Sequence, residues 1–131
     1  MKRLILTFFV VLVMILTAAG LQARDISKSL KFAPGTSEAV IRGAVIRGDQ
    51  DIYEINASEG QTMEVSINAL EDNAAFVLRA PRSAGGKPLK GADEGDDATQ
   101  WKGKLPGTGV YRIEVGGTRG NAEYKLKVSI H

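Results

Sequence analysis

Strict alternation of apolar and polar residues constrains this chain more than any other feature. In Thr62-Met63-Glu64-Val65-Ser66-Ile67-Asn68-Ala69, Met63, Val65, Ile67 and Ala69 share one side. Tyr111-Arg112-Ile113-Glu114-Val115 alternates likewise. So does Tyr124-Lys125-Leu126-Lys127-Val128-Ser129-Ile130, with Lys125, Lys127 and Ser129 on the wet side. Successive side chains of a strand point to opposite faces. Period two with one apolar face therefore predicts strands held between a core and water, as in an antiparallel sheet. A helix needs a period near 3.6, and no window after residue 23 has one.

Weaker strands precede these. Ile26 to Phe32 puts Ile26, Leu30 and Phe32 on one face. Glu38 to Ile46 is rich in β-branched residues, but Gly43 interrupts it and suggests a bulge or a bend. Ile52 to Ala57 faces Tyr53, Ile55 and Ala57 inward. Ala75 to Ala80 ends at Pro81, and a short strand starts at Ala98–Trp101 and extends toward Leu105. Turn signals separate the strands at Pro34-Gly35, Gly48-Asp49, Glu59-Gly60, Asp72-Asn73, Pro106-Gly107, Gly116-Gly117 and Gly120-Asn121. About seven or eight short strands at this spacing predict an all-β fold, a single antiparallel β-sandwich. Residues 82–97 stand apart. Their glycines and their acids Asp93, Glu94, Asp96 and Asp97 read as a long exposed loop.

The first residues bear on location. Lys2 and Arg3 precede an apolar run from Leu4 to Leu16, followed by the small residues Thr17, Ala18, Ala19 and Gly20. Charge, apolar run and small-residue exit are the order of a secretory signal. Cleavage fits after Ala19, Gly20 or Ala23. Ala23 gives a signal peptide at 1–23, a domain at 24–131, a periplasmic location and no membrane anchor after cleavage. Lys2 and Arg3 lie in that signal. The remainder then carries fifteen basic and fifteen acidic residues, so the whole-chain net charge of +2 vanishes. A domain without net charge has no long-range pull on polyanions, and no nucleic-acid partner is expected. There is no cysteine, so neither disulfides nor thiolate metal sites stabilise the fold.

Catalytic chemistry finds little to work with, and we read the chain as a non-enzyme without a cofactor. The one histidine is His131, at the terminus, where chains fray. A serine nucleophile thus lacks its usual base, and cysteine nucleophiles and histidine-bearing zinc sites are excluded. The acids at 93–97 lack the spacing of an EF-hand loop and read as a solvated turn rather than a metal site. Asp49 and Asp51 read as turn residues that cap their own backbone. Trp101 alternates with Thr99, which favours core packing over a carbohydrate platform. Leu105-Pro106-Gly107-Thr108-Gly109-Val110-Tyr111 admits two readings. One is a turn whose tyrosine hydroxyl finds a local partner, as in a tyrosine corner. The other is a stiff tip carrying Thr108 and Gly109 into a partner's cleft. Arg119, in Thr118-Arg119-Gly120-Asn121, is either a solvated charge or a fork of donors suited to a carboxylate.

The skeleton Gly48-Asp49-x-Asp51-x-Tyr53, Ala57-x-x-Gly60-Gln61, Gly109-x-Tyr111 and Tyr124-x-Leu126 resembles two groups. One is the bacterial pre-peptidase C-terminal module, and the other is the periplasmic inhibitors of g-type lysozyme. Phe32-x-x-Gly35-x-Ser37-x-Ala39, Leu105-Pro106-x-Thr108-Gly109-x-Tyr111 and Thr118-Arg119-x-x-Ala122 resemble the inhibitors. That resemblance implies a lysozyme, g-type foremost, as partner. It implies Thr108, Gly109, Tyr111 and Arg119 as partner-binding residues, with loops inserted into the enzyme's cleft. The other group implies a carbohydrate-, peptidoglycan- or protein-binding module without inhibitory activity. The chain departs from the inhibitor pattern in three places. Thr108 stands where the family has serine. Gln50 lies near an expected tyrosine that is missing. Residues 82–97 match poorly.

Overall fold

A computed structural model describes residues 26–131; the expected signal segment lies outside them. Eight strands follow in order: β1 (Ile26–Ser29), β2 (Glu38–Val45), β3 (Gln50–Ala57), β4 (Thr62–Ala69), β5 (Ala74–Arg79), β6 (Gln100–Lys104), β7 (Gly109–Gly117) and β8 (Ala122–Ile130). They form two four-stranded sheets, ordered β1-β3-β7-β5 and β2-β8-β4-β6. The sheets stack as the alternation requires. Met63, Leu78, Tyr111, Ile113, Val115, Leu126 and Val128 are completely buried between them. The all-β sandwich is as expected, with one difference in pairing: β1 runs parallel to β3.

Two local expectations change. Gly43 makes no bulge, and the β2–β8 register is continuous from Glu38↔Ser129 to Val45↔Ala122. The glycine makes room instead, because a Cβ there would sit 2.5 Å from the hydroxyl oxygen of Tyr124. Residues 82–97 are mostly exposed, as expected, but they are held in place rather than loose. After a short 3-10 turn (Arg82–Ala84) the chain runs back along the outer edge of β5. There Ala80 N donates to Lys87 O (2.9 Å), Leu78 N to Ala92 O (3.0 Å) and Phe76 N to Ala98 O (2.9 Å). Ala92 is fully buried. Arg79 clamps this cover from outside, its Nε on Glu114 and its Nη2 on Glu94, both at 2.5 Å. The hydrogen bond to Glu114 is the main reason its guanidinium holds its proton more firmly than usual. The edge of β5 is thereby kept from unwanted pairing.

A buried polar thread joins the sheets. Asp51 and Tyr53 of β3 point inward toward Tyr124 of β8, and Asp51 is buried rather than capping a turn. Tyr124 donates its hydroxyl proton to Asp51 Oδ2 at 2.5 Å. Its oxygen therefore accepts from Tyr53. The two rings meet edge to face, centroids 6.5 Å apart. Trp101 is half-buried against the core with its Nε1 donating to Lys90 O (3.0 Å). His131 is exposed but not frayed, its main chain bonded in both directions to Thr62.

Candidate functional site

The strand registers place the connections at two opposite ends. Ala57↔Gly109 and Thr62↔Lys104 bring the turn after β3 and the turn before β7 to one end. Val45↔Ala122, Ala69↔Tyr124 and Ala74↔Gly117 bring the turns after β2, β4 and β7 to the other. Thr108 and Gly109 therefore lie at one end and Arg119 at the other. The nine residues of β7 between them span about 30 Å at roughly 3.3 Å per residue. The expected residues do not form a single plug.

At the Thr108 end the side chains knit turns together. Thr108 is exposed, and its Oγ1 accepts from Glu59 N at 2.9 Å. Gly109 has φ +150, and a Cβ there would come within 2.8 Å of the Pro81 side chain. Tyr111 is fully buried, which corrects its expected role as a partner-contacting residue. Its hydroxyl donates to Gly107 O (2.5 Å) and accepts from Gly107 N (3.1 Å), the local partner that the tyrosine-corner reading requires. Burial raises its pKa above that of an ordinary tyrosine, against the lowering effect of the Gly107 bond. Tyr111 holds the tip in shape from below.

The Arg119 end is built around Asn73, which is 4% exposed. Its Nδ2 donates to Asn121 O (2.8 Å) and Arg119 O (3.3 Å), and its main-chain carbonyl accepts from Thr118 N (2.8 Å). Asn121 Oδ1 accepts from Arg47 N at 2.8 Å, which ties in the β2–β3 turn. Three turns are thus fixed to one another. Across them lies Arg119, whose Nη2 donates to Glu71 O at 2.7 Å. That bond orients the guanidinium yet engages a small part of its five-donor fork. The side chain is exposed.

Two large apolar residues at this same end of the sandwich stand in water. Leu70 is 92% exposed and Ile46 63%. They border a shallow cleft of about 390 Å³ whose lining includes Ala44, Asn73, Asn121 and Glu123. Reading the chain for charged and loop motifs passes over both. Their signal is phase. In β4 the even-numbered residues Thr62, Glu64, Ser66 and Asn68 face water, so Leu70 falls on a wet position, and Ile46 does the same after β2. Among the described residues no group of three or more acidic or histidine side chains is placed to hold a metal.

No protein-family model matches the chain, nor does any curated protein sequence. Solved structures do. PliG of Aeromonas hydrophila, a periplasmic lysozyme inhibitor of g-type lysozyme, is 32% identical. The match covers 84% of this chain and 100% of that one, with a TM-score of 0.71. PliG of Salmonella Typhimurium, another periplasmic inhibitor of g-type lysozyme, is 23% identical over 81% of this chain and 98% of that one, with a TM-score of 0.63. The pre-peptidase C-terminal domain of a Bacillus anthracis collagenase shares the fold at 20% identity, covering 82% of this chain and 97% of that one, with a TM-score of 0.58.

Proposed function

The chain belongs to the family of periplasmic inhibitors of g-type lysozyme, and from that premise we propose that it is an exported inhibitor that blocks the cleft of a g-type lysozyme with its Arg119 end. The observation that carries this reading is the company Arg119 keeps. A preoriented, exposed guanidinium stands on three interlocked turns, at the end of the sandwich that also carries the exposed Leu70 and Ile46. Glycoside hydrolysis depends on carboxyl groups in the cleft. A guanidinium fork matches a carboxylate two bonds at a time. Leu70 and Ile46, exposed at the same end, would add apolar contact with the partner and exclude water from the interface. Because Asn73 and Asn121 already fix the turns, little entropy is lost on binding. The mechanism needs no reaction by this molecule.

The test is clearance of a cell-wall suspension by g-type lysozyme. Arg119→Ala should weaken inhibition at least tenfold, about 1.4 kcal/mol. Leu70→Ser should weaken it severalfold with no loss of stability. Thr108→Ala should leave it nearly unchanged. The second reading, insertion of the Thr108–Gly109 tip, is favoured by the exposure of Thr108. It predicts the reverse ranking, with Thr108→Ala costly and Arg119→Ala harmless. A protein that inhibits no lysozyme yet is retained on cell-wall material would instead be a binding module of the pre-peptidase type. The half-buried, internally bonded Trp101 offers no sugar platform for that role.

A further inference from the structure

Strand β2 is an eight-residue edge paired on one side, to β8. Ser37 O accepts from Ile130 N just before the strand, and pairing alternates along an antiparallel ladder. The main-chain groups of Ala39, Ile41, Gly43 and Val45 therefore face β8. Those of Glu38, Val40, Arg42 and Ala44 face away from it, and no described residue bonds to them. Such a row of donors and acceptors is a template for another strand.

The side chains on that row are self-complementary. Setting β2 antiparallel to a copy of itself about Val40 places Val40 opposite Val40, Glu38 opposite Arg42 and, by symmetry, Arg42 opposite Glu38. The half-buried Ala39 falls opposite the half-buried Ile41. Val40 is 50% exposed on the outer face and would lose part of that exposure against its twin at the centre. Opposite charges and β-branched pairs across strands are stabilising contacts. The main chain agrees, because Val40 and the Glu38–Arg42 pair are the residues whose N–H and C=O point outward. The other edge of this sheet, β6, has Lys102 and Lys104 exposed beside each other on its wet side. Lysines of that kind protect an edge.

We propose that β2 is a homodimer interface, two copies joined by antiparallel β2–β2 pairing centred on Val40. It is independent of which end inhibits lysozyme. The experiment is sedimentation equilibrium on the protein exported from cells expressing the full chain, over a wide concentration range. The average mass should rise from one chain to two. Val40→Pro should hold it at one chain with an unchanged thermal melt, because the lost N–H faces solvent in the monomer and proline is tolerated on such an edge. Glu38→Arg should weaken association at least tenfold, and adding Arg42→Glu should restore it. A single-chain mass at every concentration overturns the proposal. So does a dimer that survives Val40→Pro, or a charge swap that fails to restore. If Val40→Pro lowers the melt, the charge swap alone decides.

Discussion

Tyr124 donates its one hydroxyl proton to Asp51 and accepts another from Tyr53, so three polar groups satisfy one another inside the core. Tyr124→Phe would leave the Asp51 carboxylate and the Tyr53 hydroxyl without their partner. The expected cost is about 1–3 kcal/mol, read as a lower urea midpoint with an unchanged slope. A change near zero would mean that the thread contributes nothing net. Gly43→Ala should cost a similar ~1–3 kcal/mol, because its methyl group would press on the same hydroxyl. Burial, foremost, raises the pKa of both tyrosines above the ordinary value. For Tyr124 the bonds to Asp51 and Tyr53 add to the rise. The unfolded chain therefore releases these protons first, as pH passes about 10. The stability they contribute is full below that pH and declines above it. Urea midpoints followed from about pH 8 to about pH 11 should stay level and then fall. Tyr124→Phe should flatten the fall. At this scale the sequence shows that Tyr53 and Tyr124 point inward, because alternation says so. It hides that Asp51 joins them, since an aspartate beside Gly48-Asp49 reads as a turn residue.

Among the elements, β4 runs from Thr62 to Ala69 as the alternation predicts, and β7 and β8 contain the predicted runs with a few residues added at the ends. Alternation reports which face is wet. It carries no information on strand direction, so the parallel β1–β3 pair is not legible. Nor is the cover on β5, whose hold on the edge is made by main-chain bonds that no side-chain pattern announces. That cover makes a distinct prediction in hydrogen exchange. The amides of Phe76 and Leu78, which donate into it, should be protected like those of central strands. Arg79→Met, which releases the clamp on Glu94 and Glu114, should speed their exchange while β4 stays protected. Exchange of both amides within seconds in the unaltered protein would show that the segment does not hold the edge. The separation of Thr108 from Arg119 is legible in principle. The alternating run at Tyr111–Val115 lies between them, and a strand sends its two flanking turns to opposite ends.

For the whole molecule, the arrangement of sheet β2-β8-β4-β6 bears on when the chain can fold. β8 lies between β2 and β4 but is made after both. Glu38 finds its ladder partner at Ser129, and Met63 finds its own at Ile130. A nascent chain that has reached Asn73 holds two strands of this sheet and lacks the one that joins them. Contacts this distant along the chain make folding slow, because a long loop must close before the contacts reward it. However fast folding is once it begins, this sheet cannot close before β8 has been made, so the polypeptide lacks it until that strand emerges. That is the condition in which an unfolded substrate can still pass through a narrow translocation pore.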